Sequence, residues 1–193
     1  MDVVPSHWYD NLAYQSSGLE RDRSVTILNK KVPETIHNLP FLHIHKINER
    51  NILARDGLKK AIRLCKNVKN DANEEGREIN FSSFDIAAAM WHSDITALSY
   101  GVFYELAILA ETQRFLDELY HNPTKAKALV VPDGSRCVFD TEEKYNGLKA
   151  LSSEMDDLAK EVAKEHNLLL SLRTELTLSD VRDALSKAIV PAA

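Results

Sequence analysis

The chain has 193 residues with 44% hydrophobic and 27% charged side chains but only 6 Gly and 6 Pro. These values suit one domain with its own core, and they exclude a disordered chain, a turn-rich all-β protein and, with no long apolar run, a membrane-spanning helix. The net charge of −5 is uneven, because residues 1–70 carry 12 Lys and Arg against 7 Asp and Glu, whereas residues 71–193 carry 12 against 22. The front of the chain therefore suits an anionic ligand or a solvated basic helix.

Residues 1–46 contain strand-like pieces in an otherwise irregular segment. Asp2-Val3-Val4-Pro5 is a short β-type run that ends at a proline, as at a strand end or a sheet edge. Residues 24–28 (SVTIL) are a second strand candidate, and Asn38-Leu39-Pro40 interrupts the chain again. We expect a β-type N-terminal stub.

Helical spacing of apolar residues dominates the rest of the chain and predicts five main helices. The second should be capped by Ser82 or Ser83, with Asp85 favoured by the helix dipole in its first turn. Residues 128–140 (ALVVPDGSRCVFD) predict a small β-hairpin around a Pro-Asp-Gly-Ser turn. The predicted fold class is mainly α: a helical domain of about five helices with a small β-hairpin and a β-type N-terminal stub. The predicted helices span about Asn48–Asn70, Phe84–His92, Leu98–Tyr120, Glu142–His166 and Thr177 to just before Pro191.

Few residue patterns indicate chemistry by themselves. The sequence has no Gly-rich phosphate loop, zinc-ligand spacing or nucleophile elbow. Cys65 and Cys137 match no ligand spacing and suggest reduced core thiols in a cytoplasmic protein. His43 and His45 could share one face of a strand and bind a metal, but without a third ligand nearby a structural or surface role is favoured. His7-Trp8-Tyr9 is either a stacking surface or the edge of a core.

A phosphate site is suggested by one basic helix and the helix that follows it. Lys59, Arg63 and Lys66 recur at spacings of four and three, which places them along one stripe. Ser82 and Ser83 precede a helix start, whose N–H groups and dipole favour phosphate. If the two helices pack antiparallel, both features face one pocket that could bind a nucleoside triphosphate. The alternatives are a solvated basic stripe and simple serine capping.

The order of these segments carries a family resemblance over roughly residues 1–140. Asp2-Val3-Val4-Pro5, Asn38-Leu39-Pro40-Phe41-Leu42-His43, the basic segment Leu58–Lys69 and Ser82-Ser83-Phe84-Asp85-Ile86 resemble the back half of the DNA polymerase β-like nucleotidyltransferases. The closest branch is the oligoadenylate synthetase and cyclic GMP-AMP synthase-like group, which includes bacterial synthases of cyclic oligonucleotide signals. The resemblance implies Mg²⁺-dependent transfer of a nucleotidyl group from ATP or another nucleoside triphosphate to a hydroxyl, and a role in antiviral defence.

The resemblance also implies roles for individual residues. By the resemblance, Asp2 would be the third catalytic carboxylate and a metal ligand. By spacing alone Asp2 suggests a structural role, because a strand-end aspartate suits Mg²⁺ but needs a second carboxylate, and none is placed nearby. Lys66, with Lys59 and Arg63, would hold the triphosphate together with Ser82 and Ser83, which both lie at the following helix start. Residues 1–46 would be a remnant of the catalytic sheet and its connector, and residues 47–193 the helical C-terminal domain.

One departure from the family changes the expected activity. The family's Gly-Ser motif and Asp-x-Asp pair are missing from the sequence, so we expect the chain by itself to be inactive. A sheet that lacks its neighbours exposes an edge, which predicts self-association through the N-terminal segment. The competing hypothesis is a non-catalytic helical interaction module whose acidic residues 71–193 form the partner surface.

Overall fold

A computed structural model describes residues 6–29, 34–100, 103–173 and 175–190 of the chain. Over these residues the protein is mainly α, which confirms the predicted class. The strands are β1 (Ser6–Tyr9), β2 (Ser24–Asn29) and β3 (Glu34–Asn38). The helices are α1 (Leu12–Ser17), α2 (Pro40–Leu53), α3 (Gly57–Glu74), α4 (Ser83–Met90), α5 (Ile95–Leu98), α6 (Glu105–His121), α7 (Pro123–Lys127), α8 (Glu142–His166), α9 (Leu168–Ser171) and α10 (Leu178–Lys187), with a 3₁₀ turn at Glu20–Asp22.

The N-terminal strands form one antiparallel sheet in the order β1-β2-β3. Trp8 pairs with Val25 across the first ladder, and Ile27 pairs with Ile36 across the second. β2 confirms the strand predicted at residues 24–28. β1 forms an edge of this sheet, and its four side chains are exposed. The strand predicted at Asp2-Val3-Val4-Pro5 lies outside the described residues.

The first predicted helix is two helices, so its predicted bounds of Asn48–Asn70 were wrong. α2 begins earlier because Pro40 occupies its first turn, where the fixed φ of proline and its missing N–H suit a helix start. The chain then reverses through Arg55 and Asp56, whose φ angles are 47° and 69°. Non-glycine residues adopt positive φ uncommonly, and the helical spacing of apolar residues continues across this position, so the spacing did not indicate the break.

Two contacts hold this reversal in place. The Asn51 side chain accepts a hydrogen bond from the Lys59 backbone N–H at 2.8 Å and donates one to Asp56 Oδ1 at 2.7 Å. A Cβ atom at Gly57 would lie 1.9 Å from the carbonyl oxygen of Leu98, so only glycine lets α3 begin this close to α5. The break therefore depends on tertiary contacts.

The core lies where α3, α4, α6, α8 and α10 meet. The helices contribute apolar residues at three- and four-residue spacing, and the largest fully buried ones include Leu58, Ile86, Phe115, Leu116, Leu148, Leu151, Met155 and Leu185. α8 has its predicted bounds, and Thr177 caps α10 in a capping box with Asp180. No helix of the described ranges is long and apolar enough to cross a membrane.

Two other elements are shorter than predicted. The helix expected from Leu98 to Tyr120 begins only at Glu105, as α6, and Leu98 is the last residue of the short helix α5. Asp94 caps α5 by accepting from the Thr96 backbone N–H at 2.8 Å. In the segment expected as a hairpin, one antiparallel bridge joins Val130 to Cys137. Beside this bridge the Val131 N–H donates to the Arg136 carbonyl at 3.0 Å and the Val138 N–H donates to the Leu129 carbonyl at 2.8 Å. Val138 and Phe139 are buried in the core.

Candidate functional site

Helices α2, α3 and α4 enclose a cleft of about 460 Å³. Four of the residues predicted from sequence to bind a triphosphate meet there, because α3 contributes Lys59, Arg63 and Lys66 and the first residue of α4 is Ser83. Ile47 and Ile62 are buried beside them and give the cleft an apolar floor. The complete lining is His43, Ile44, Ile47, Asn48, Lys59, Ile62, Arg63, Lys66, Ser83, Phe84 and Ala87.

The three cations of this cleft lack counter-ions among the residues that the structure describes. Within the described part of the chain, no carboxylate forms an ion pair with Lys59, Arg63 or Lys66, whereas the adjacent Lys60 points to another face and pairs with Glu105. Like charges along one helix stripe repel one another and destabilise the helix slightly. An anion in the cleft would remove this repulsion, so the charge pattern favours anion binding.

The two serines at the start of α4 have different environments. Ser82 is the N-cap: its hydroxyl accepts from the Asp85 backbone N–H at 3.1 Å and donates to Asp85 Oδ2 at 2.7 Å. Its capping role is confirmed, but Ser82 lies in a neighbouring pocket with Lys69 and Lys144 and does not line the cleft. Ser83 is exposed to the cleft. A ligand there would meet the Ser83 hydroxyl and the first N–H groups of α4.

A buried carboxylate fixes the start of α4. Asp85 is 2% exposed, and its Oδ1 accepts a hydrogen bond from Arg136 Nη2 at 2.5 Å while Lys144 Nζ lies 3.7 Å from Oδ2. The guanidinium of Arg136 also lies over the Phe84 ring, 5.4 Å from its centre. Sequence reasoning missed Arg136 because it is 51 residues from its partner. The signal that could have found it is the buried Asp85, since a buried carboxylate requires a cation.

The Phe84 ring also stacks on His43, with ring centres 4.0 Å apart and planes inclined by 23°. Burial lowers the pKa of His43 below its ordinary value of 6.5. Asp133 opposes this lowering, while the positive charges of Arg136 and Lys66 add to it. The imidazole therefore stays neutral at neutral pH, beside the cations of the cleft.

The predicted metal candidates do not converge in the described structure. His43 and His45 lie on α2 instead of a strand, so residues two apart point in different directions. His45 contacts Glu49 at 3.1 Å and Arg21 at 2.8 Å. Among the described residues, no group of three or more His, Cys, Asp or Glu side chains could hold a metal ion. Asp2 lies outside the described residues, and its metal role stays a prediction.

Two further expectations can be compared with the structure. Trp8 is 48% exposed, stacks on Phe41 at 5.2 Å and lies under the Arg23 guanidinium at 4.4 Å, so it belongs to a surface stack and not to the core edge.

Cys65 is buried, as expected of a core thiol, whereas Cys137 is exposed. The expectation of two core thiols was therefore wrong for Cys137, because the turn that carries it leaves its side chain at the surface.

The helical fold and its basic cleft define a class of protein. Residues 45–164 match the cGAS/DncV-like nucleotidyltransferase C-terminal helical domain, and the chain belongs to this family. The nucleotidyltransferase resemblance drawn from the order of the sequence motifs is thereby confirmed.

Three proteins that are similar to the chain belong to one group of synthases. The chain is 40% identical over 190 residues to the cyclic dinucleotide synthase CdnE of Yersinia aleksiciae, which covers 98% of this chain and 49% of that protein. It is similar to the solved structure of the STING-associated CdnE c-di-GMP synthase from Capnocytophaga granulosa, with a TM-score of 0.68, 29% identity and coverage of 84% of this chain and 51% of that one. The corresponding enzyme from Flavobacteriaceae sp. gives a TM-score of 0.66, 25% identity and coverage of 81% and 44%. The chain thus spans about half the length of these relatives.

Proposed function

We propose that the chain is the helical part of a cyclic-dinucleotide synthase that closes over the bound nucleotide and holds its triphosphate in the cleft of α2, α3 and α4. The observation that carries this proposal is the meeting of three cations, Lys59, Arg63 and Lys66, with the start of α4 in one cleft. The names of the relatives, which are cyclic dinucleotide synthases, support the substrate class.

The cleft offers three kinds of phosphate contact. Lys59 and Lys66 supply point charges, and the Arg63 guanidinium can donate two parallel hydrogen bonds to one phosphate. Ser83 adds a hydroxyl donor, and the first turn of α4 adds N–H groups at the positive end of a helix dipole. These contacts are exposed to water, so the chain by itself should bind ATP no more tightly than roughly millimolar, about 4 kcal/mol.

Carboxylates outside the described residues would carry out the chemical step. In a full-length parent, Mg²⁺ held by carboxylates that include Asp2 would promote transfer of the nucleotidyl group to a hydroxyl. The described residues contain no carboxylate cluster suited to Mg²⁺, so they are proposed to bind and orient the nucleotide only. Residues 1–46 would be the remnant of the catalytic sheet and connector, and residues 47–193 the closing domain, in a cytoplasmic enzyme of antiviral defence.

We also propose that copies of the chain associate with one another. β1 forms a sheet edge whose backbone can pair with another strand. In the 193-residue chain that edge would support self-association. Sedimentation of the purified chain at several concentrations measures this directly.

Titration of ATP into isotope-labelled chain, followed by backbone amide shifts, tests the binding site. We expect localised shifts at Lys66 and Ser83, and several-fold weaker binding in Lys66→Ala. Lys60→Ala is the matched control, because it removes the same charge from the same helix on a face outside the cleft. Diffuse shifts along α3 that both substitutions weaken equally would mean a solvated basic stripe, and would favour the helical interaction module.

A further inference from the structure

We propose that His43 is a further nucleotide-binding residue, whose neutral imidazole donates a hydrogen bond from Nε2 to a phosphate oxygen in the cleft of α2, α3 and α4. This inference rests on the proposed function of that cleft. It adds an uncharged donor from α2 to the cations of α3 and the helix start of α4.

The position of His43 is unusual for a histidine whose Nδ1 has no hydrogen-bond partner among the described residues. The residue is only 5% exposed, yet it lines the cleft beside Lys66 and Ser83. One ring face stacks on Phe84 at 4.0 Å, which fixes the plane of the imidazole. A polar ring buried to this degree normally finds a hydrogen-bond partner inside the protein.

The surroundings of the two ring nitrogens determine which nitrogen carries the proton. Nδ1 of His43 is fully buried and has no hydrogen-bond partner among the residues that the structure describes. A neutral imidazole has one N–H and one acceptor nitrogen, and a buried N–H without an acceptor is rarer than an unfilled acceptor. Asp133 Oδ2 is also buried without a hydrogen-bond partner, but it forms no hydrogen bond with Nδ1, so the inference places the proton on Nε2. Because His43 lines the cleft, the same inference offers this N–H to a ligand there.

Burial is the main reason that the ring stays uncharged. Burial lowers the pKa of His43, the positive charges of Arg136 and Lys66 lower it further, and Asp133 and Asp85 oppose them. Protonation would also place a second N–H at the buried Nδ1, where it would have no acceptor. The ring thus contributes a donor without adding positive charge to the existing stripe of cations.

Three substitutions separate this role from a packing role. In His43→Gln the side-chain amide can place an N–H near the position of Nε2, in His43→Asn the amide reaches only the position of Nδ1, and His43→Phe keeps the stacking without a donor. Titrating each variant with ATP and with tripolyphosphate, we expect Gln to stay within about twofold of the parent and Asn and Phe to weaken both ligands by about tenfold. A packing role predicts the opposite order, with Phe the least affected.

The parent chain gives a second measurement that needs no variant. Imidazole ¹⁵N spectra at pH 7.5 should show the Nε2-protonated neutral form, and the Nε2 resonance should move when tripolyphosphate is added. A proton on Nδ1, or weakening by His43→Phe of ATP binding alone, would overturn the inference. If Lys66→Ala weakens ATP binding but all His43 variants bind alike, this inference fails and the proposed function stands. If the parent chain does not bind ATP in the cleft, both fail.

Discussion

Removing the buried carboxylate Asp85 should destabilise the chain far more than removing the exposed carboxylate that contacts the same cations. Asp85 accepts hydrogen bonds from Arg136 Nη2 at 2.5 Å and from Ser82 Oγ at 2.7 Å, and Lys144 Nζ lies 3.7 Å away. Asp140 also contacts Arg136, at 3.4 Å, and Lys144, at 2.7 Å. The two side chains differ in exposure, at 3% for Asp85 and 34% for Asp140.

The expected loss for Asp85→Ala follows from these contacts. Both hydrogen bonds end on the ionised carboxylate, and a hydrogen bond to a charged group contributes about 1.5–3 kcal/mol. Arg136 and Lys144 keep side-chain exposures of 32% and 23%, so water partly replaces their lost partner and reduces the total. We expect a net loss of about 2–3 kcal/mol in the free energy of unfolding. For a chain of this size that lowers Tm by about 4–12 °C.

Urea unfolding followed by circular dichroism, together with thermal melts, measures this difference. Asp140→Ala should lose less than about 1 kcal/mol, because an exposed ion pair contributes little. Asp85→Ala should also shift the amide signals of Ser83 and Phe84, since the cap and the arginine stack at the start of α4 depend on it. Equal losses in the two variants would refute the argument that burial makes this network important.

Three other results are expected of the purified chain. Incubation with each nucleoside triphosphate and Mg²⁺ or Mn²⁺ should give no product, because the Gly-Ser and Asp-x-Asp motifs are missing from the sequence; clear product formation contradicts this. Burial lowers the pKa of both His43 and His92 from 6.5, so as the pH falls the unfolded chain takes up protons before the folded chain does. Tm should therefore fall between pH 7.5 and 5.5. Replacing both histidines with Gln should make this fall less steep. Burial raises the pKa of Cys65 to about 12, so iodoacetamide at pH 8 should alkylate only the exposed Cys137 until denaturant is added.

Local interactions made several elements readable from the sequence. The bounds of α8 follow from the spacing of its apolar residues, and the starts of α4 and α10 follow from Ser82 and Thr177, which cap helices by bonding to N–H groups three residues away. The order of such local segments was also sufficient to recognise the nucleotidyltransferase family. These features depend on neighbours within a few residues, so the sequence alone determines them.

Packing between distant segments decided the helix break, the cleft and the buried contacts around it. The division of the first predicted helix depends on Gly57 meeting the carbonyl of Leu98, a contact that leaves no local signal in the sequence. The cleft was predicted only on the condition that the two helices pack antiparallel, and the structure places Lys66 and Ser83 in one cleft. The burial of His43 and the pairing of Arg136 with a carboxylate 51 residues away likewise appear only in the folded chain. The sequence therefore determined which residues could bind an anion, whereas the tertiary structure decided which of them share one cleft, because that depends on how remote helices pack.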